Sequence, residues 1–88
     1  MAMMLSPLEK AVLLHCEPGL ELTLGELQTE LFPLFDPDSV RSACSFLRRR
    51  LLVTEGFGSF ERTELGSRVL TEQRRKERAA RQGGLYAL

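Results

Sequence analysis

The stretch SVRSACSFLRRR, from Ser39 to Arg50, places four arginines among three serines. A guanidinium offers a planar fork of donors that matches phosphate, carboxylate and the edge of guanine. Hydroxyls add short-range hydrogen bonds to the same targets. This is the chemistry of recognition. The residue types that catalyse are sparse by comparison. His15 is the only histidine, and Cys16 and Cys44 are the only cysteines. A thiol–imidazole pair of His15 with Cys44 is chemically conceivable, but free cysteines usually behave as small buried hydrophobes. A structural zinc site wants four ligands, and no CxxC is present. The serines have no evident histidine–acid partners. GFG, at Gly56–Gly58, is too short for a phosphate loop and opens no helix. The sequence therefore points away from an enzyme and calls for no cofactor and no metal.

The elements that must position the arginines can be read from caps and periodicity. Eighty-eight residues suffice for one small domain. Ser6, Pro7 and Glu9 open a first helix with a capping box, and Pro18–Gly19 close it. LEL, at Leu20–Leu22, alternates like a very short strand. Thr23 with Glu26 forms a second capping box. Leu24, Leu27 and Leu31 then fall on one helical face, and Pro33 ends that helix. Asp36 and Pro37 start a third helix. At about 100° per residue, Val40, Ala43, Cys44, Leu47 and Leu51 make its apolar stripe. Arg41, Ser42, Ser45, Arg48 and Arg49 cluster opposite, with Phe46 on the flank. LLVTE reads as a strand, GFGS as a hairpin turn and SFER as the returning strand. Thr63 caps a fourth helix over residues 64–82, and Gly83–Gly84 read as its stop. The expected organisation is a domain over residues 1–82 and a loose tail over residues 83–88. Leu27, Val40, Leu47 and Phe60 are expected in the core.

The element order is helix, short strand, helix, helix, strand, wing, strand, helix. It is mainly α with a small β-hairpin, an α+β chain, and it resembles a winged helix-turn-helix domain. SVRSACSFLRRRLLV resembles the third helix and following strand of bacterial winged-helix transcriptional regulators. There a V-x-x-A-L-x-x-L pattern precedes a short basic stretch and an aliphatic strand. FERTELGSRVL, from Phe60 to Leu70, resembles the exit from the wing in regulators of the phenolic-acid and multiple-antibiotic-resistance types. Together these cover roughly residues 6–72. Two departures stand out: Leu51 replaces the usual glycine before the second strand, and the short wing carries glutamates. The resemblance implies transcription regulation by a third helix in the major groove of duplex DNA. Arg41, Ser42, Ser45, Arg48 and Arg49 would lie along that helix, with Phe57 and Arg62 on the wing. A near-neutral monomer would make few phosphate contacts, so useful affinity would need a symmetric homodimer on two half-sites, and Phe46, Leu70 or the first helix are the expected contacts if the chain dimerises. The same fold hosts protein-binding adaptors, for which the arginine face would meet an acidic protein.

Charge bears on both readings. The formal net charge is zero. It divides by segment into −4 over residues 1–35, +2 over 36–53, −2 over 54–66 and +4 over 67–88. Strong nonspecific attraction to nucleic acid is not expected of such a chain. The run RRKER in the fourth helix reads as a basic arm or as a solvated face laced by Glu64–Arg68, Glu72–Lys76 and Glu77–Arg81 pairs. No apolar run approaches a membrane span, and the amino-terminal stretch lacks a charged leader. The expected location is the cytoplasm, with reduced thiols.

Overall fold

The computed structural model describes the backbone of residues 4–86 and the side chains of residues 4–80. Four helices and three short strands follow one another as α1 (Pro7–His15), β1 (Leu22–Thr23), α2 (Leu24–Leu31), α3 (Pro37–Arg49), β2 (Val53–Gly56), β3 (Ser59–Arg62) and α4 (Glu64–Tyr86). The strands form one antiparallel sheet in the order β1-β3-β2. The short strand expected at Leu20–Leu22 lies instead at Leu22–Thr23, so of LEL only Leu22 joins the sheet edge, opposite Phe60, with Thr23 opposite Ser59.

The helix starts follow the local chemistry. The Ser6 hydroxyl accepts from the Glu9 amide at 3.2 Å, and the Glu9 carboxylate accepts from the Ser6 amide at 2.9 Å. Thr23 and Glu26 repeat the exchange at 3.1 and 2.9 Å. Each box satisfies two amides that the helix itself cannot bond. Asp36 occupies the cap position of α3, but its carboxylate caps no amide. It accepts the Ser39 hydroxyl instead, and that bond holds its carboxyl below the ordinary carboxylate range. The Phe32–Pro33 peptide bond, in the turn between α2 and α3, is cis.

The core gathers Val12 and Leu13 from α1 and Cys16 at its C-cap, Leu27 and Leu31 from α2, and Val40, Ala43, Cys44 and Leu47 from α3. Leu5 ahead of α1, Leu52 just before β2, Val53 and Phe60 from the hairpin and Leu70 from α4 complete it. Leu27, Val40, Leu47 and Phe60 are all buried, as their spacing requires. Leu51 departs from the expected stripe: it is 68% exposed. The reason is how α3 ends. The Leu52 amide donates to the Leu47 carbonyl and the Leu51 amide to the Arg48 carbonyl, at 2.9 and 3.0 Å. These two bonds define a Schellman motif, which puts Leu51 in the left-handed region at φ 63°. Its side chain swings out, and Leu52 takes the buried place beside Leu47.

Two further expectations are corrected. Leu70 is buried, so it offers no surface for a dimer contact. The helix stop at Gly83–Gly84 is absent, because α4 continues through both glycines to Tyr86. A glycine inside a helix costs only about 1 kcal/mol relative to alanine and need not end one. The amino-terminal segment is pinned to this helix. The Leu5 amide donates to Gln73 Oε1 at 2.7 Å, and Gln73 Nε2 donates to the Leu5 carbonyl at 3.2 Å. Nearby, Lys10 pairs with Glu77.

Candidate nucleic-acid interface

The arginine cluster divides into two neighbouring stripes along α3. Arg41, Ser45 and Arg48 line a cleft with Leu24, Glu55 and Phe60, between α2, α3 and the hairpin. Ser42 and Arg49 line a groove on the other flank, with Ser6, Glu9, Asp38 and Phe46. The helical angle explains the split. Positions 41, 45 and 48 lie within about 60° of one another, and 42 and 49 are turned away toward α1. All five side chains are exposed. Phe46 is half-buried, as its flank position implies, and the Arg50 guanidinium lies 4.8 Å from its ring centroid. That is cation–π distance.

The hairpin reaches beyond this face. Strand register pairs Val53 with Arg62, Thr54 with Glu61, Glu55 with Phe60 and Gly56 with Ser59. Phe57 and Gly58 are therefore the whole turn, at φ 54° and 82°. Positive φ at both central residues is the signature of a type I′ turn. Gly56 belongs to β2 and is not a turn residue. The tip leaves the Phe57 ring fully exposed.

Arg62 is a correction. It stood among the expected DNA-contacting residues, but its guanidinium faces inward. Nη1 donates to the Leu13 carbonyl and Nε to the Ser67 hydroxyl, both at 2.9 Å. Its register opposite Val53 explains this, because directly paired residues share a sheet face and Val53 is buried. Arg62 thus ties β3 to α1 and α4.

The sequence reading missed Glu55 as part of the site. The Arg48 Nη1 donates to Glu55 Oε1 at 2.9 Å, an ion pair across α3 and β2. Strand alternation carried the signal: Glu55 lies two residues from Val53 and opposite Phe60, on the face turned to the helices. The cleft's acidic member also acts on Cys44 at its floor. Burial first, and Glu55 second, push the Cys44 thiol up to about 11. Cys16 is pushed up to about 12, by burial and then by Cys44, with Arg62 opposing. Both thiols are free and buried. They are protonated near neutrality, and their nucleophilic form is suppressed.

Among the described residues, no group of three or more histidine, cysteine or acidic side chains could hold a metal ion. Every buried side-chain nitrogen or oxygen of these described residues has a hydrogen-bond partner. No helix there is long and apolar enough to cross a membrane. Comparison with protein-family models, with curated proteins and with solved structures finds no match.

Proposed function

We propose that the chain is a winged helix-turn-helix domain that binds duplex DNA in the cytoplasm as a small transcriptional regulator. α3 would enter the major groove and the β2–β3 hairpin would act as the wing. The observation that carries this reading is the stripe of Arg41, Ser45 and Arg48. It is exposed along a helix whose opposite face is fixed in the core by Val40, Cys44 and Leu47. A rigid helix presenting arginine and serine outward is suited to base edges, and Arg49 on its flank is suited to a phosphate. The strand order, with β1 closing the hairpin into a small sheet, supports the same assignment. Binding as a symmetric dimer on two half-sites would supply the affinity that a near-neutral monomer lacks. No catalytic role is assigned.

The test is selection from a random duplex pool, followed by anisotropy titration of the enriched duplexes. An enriched sequence is expected, with its binding abolished in Arg41→Glu/Arg48→Glu. If no sequence is enriched and the double variant binds DNA as well as the natural chain, the reading fails. A protein adaptor then takes its place. That second reading is favoured by one observation: Arg48 already accommodates a carboxylate, that of Glu55. An acidic protein partner could extend the same contact.

A further inference from the structure

Among the described residues, the Arg48–Glu55 pair alone joins the candidate reading helix and the hairpin by charge. The pair is too open to count as a stability device, with side chains 57% and 34% exposed. Exposed ion pairs contribute little. Its geometry is more informative. Glu55 occupies one terminal nitrogen, Nη1, of the guanidinium. Among the described residues, Arg48 Nε and Nη2 make no hydrogen bond, so a second edge of the fork is open. The pair sits in a cleft of about 160 Å³ that is shared with Arg41 and Ser45. A carboxylate at that point discourages phosphate, which it repels, and leaves a neutral base edge acceptable. A long arginine held at one end also loses less rotamer freedom on binding than a free one.

We propose that Glu55 is a positioning residue for Arg48, which it holds as a reader of a guanine edge and keeps from serving as a phosphate clamp. The proposal rests on the DNA reading above and deepens it by naming which arginine specifies and what orients it. Among the described residues, Arg41 and Arg49 pair with no carboxylate, and they remain free for backbone or base contacts.

The experiment measures affinities for the enriched duplex, for the same duplex with single base-pair changes, and for a scrambled duplex, at one salt concentration. The proteins are the natural chain, Glu55→Gln, Arg48→Ala and the double variant, each confirmed as folded by its circular dichroism melt. Glu55→Gln is expected to lower the preference for one G·C pair by about tenfold, within the range of a good bidentate contact. It should leave scrambled-duplex affinity equal or higher, since a repelling charge is gone. Arg48→Ala should lose the preference at the same base pair, and the double variant should lose no more than Arg48→Ala alone. Two results overturn the proposal. One is a Glu55→Gln variant that gains equally on every duplex, which would make Glu55 a repulsive charge only. The other is additive loss in the double variant, which would uncouple the two residues. A chain that enriches no duplex sinks the DNA reading, and this inference with it.

Discussion

Two bulky side chains are held at positive φ, Leu51 and Phe57, where an L-residue costs about 1–2 kcal/mol. They differ in what the strain accomplishes. Leu51 sits at the left-handed position that ends α3, and its exposed side chain is not part of the core. The contacts of this residue that matter are main-chain: its amide to Arg48 and its carbonyl to the Thr63 hydroxyl. Leu51→Gly keeps both and removes the strain, so a gain of about 0.5–1 kcal/mol in a urea melt is expected after the entropy of the glycine is subtracted. Phe57 is strained and fully exposed at the hairpin tip, which points to use outside the fold. Phe57→Asn installs the Asn-Gly pair that a type I′ turn prefers. It should stabilise by about 1 kcal/mol while weakening whatever partner the domain binds; equal binding would remove Phe57 from the interface. The buried thiols make a separate prediction. Cys16 and Cys44 ionise in the folded chain at about 12 and about 11, against an ordinary 9.0. Raised values mean that the folded state holds its protons longer than the unfolded one. Their contribution is full below pH 9 and is lost as pH rises through 9 toward 11 and 12. Urea melts across that window should show stability falling, and a Cys16→Ala/Cys44→Ala variant should show a flatter alkaline slope.

At the scale of elements, α4 approaches the hairpin through Gly66. A Cβ built there would lie 2.2 Å from the Leu52 carbonyl oxygen and 3.1 Å from its carbon. Those are backbone atoms, and Leu52 is itself fully buried, so neither element can shift freely. Gly66→Ala is expected to destabilise by roughly 2–4 kcal/mol, in a domain whose total is of the order of 5–15. An unchanged melting temperature would mean that α4 is not seated on Leu52. Leu47→Ala, which empties a fully buried position under α3, should cost about 2–5 kcal/mol. Much of this architecture was legible in the sequence, because it depends on local chemistry. Two S/T-x-x-E boxes, four prolines at or near helix ends and the 40–43–44–47 spacing set the helices and the buried face of α3. What stayed hidden depends on tertiary choice. The end of α3 carries no glycine to announce its left-handed turn, so Leu51 looked like a fifth core residue and Leu52 did not. Arg62 looked like a surface base because its partners, Leu13 and Ser67, are 49 and 5 residues away in sequence. Glu55 was readable from strand alternation, but Arg48 beside it only from the packing of β2 on α3.

At the scale of the molecule, charge decides how firmly such a domain could hold DNA. The segment charges of +2 around α3 and +4 over residues 67–88 overstate what one face can offer. Arg62 is spent on the Leu13 carbonyl and Arg48 is shared with Glu55. That leaves Arg49 on α3 for a phosphate and Arg41 for a base edge or a phosphate, with Arg50 stacked over Phe46. The basic run of α4, Arg74, Arg75, Lys76 and Arg78, is exposed. However, α1 packs against both α3 and α4, and the run lies on a different helix from the arginines of α3. A monomer bound through α3 alone should therefore neutralise about two or three phosphates. Its affinity should fall with salt at a log–log slope of about −2 to −3. A dimer on two half-sites should double that slope. Titrations of a half-site and a full-site duplex between about 50 and 200 mM salt separate the cases. A half-site slope near −6 would need more cations than α3 presents, from α4 or from a second copy of the chain. Arg75→Glu/Arg78→Glu then becomes the deciding variant. If it restores the shallow slope, the basic run lies on the backbone of the duplex; if it leaves the slope steep, the excess cations come from a second copy of the chain.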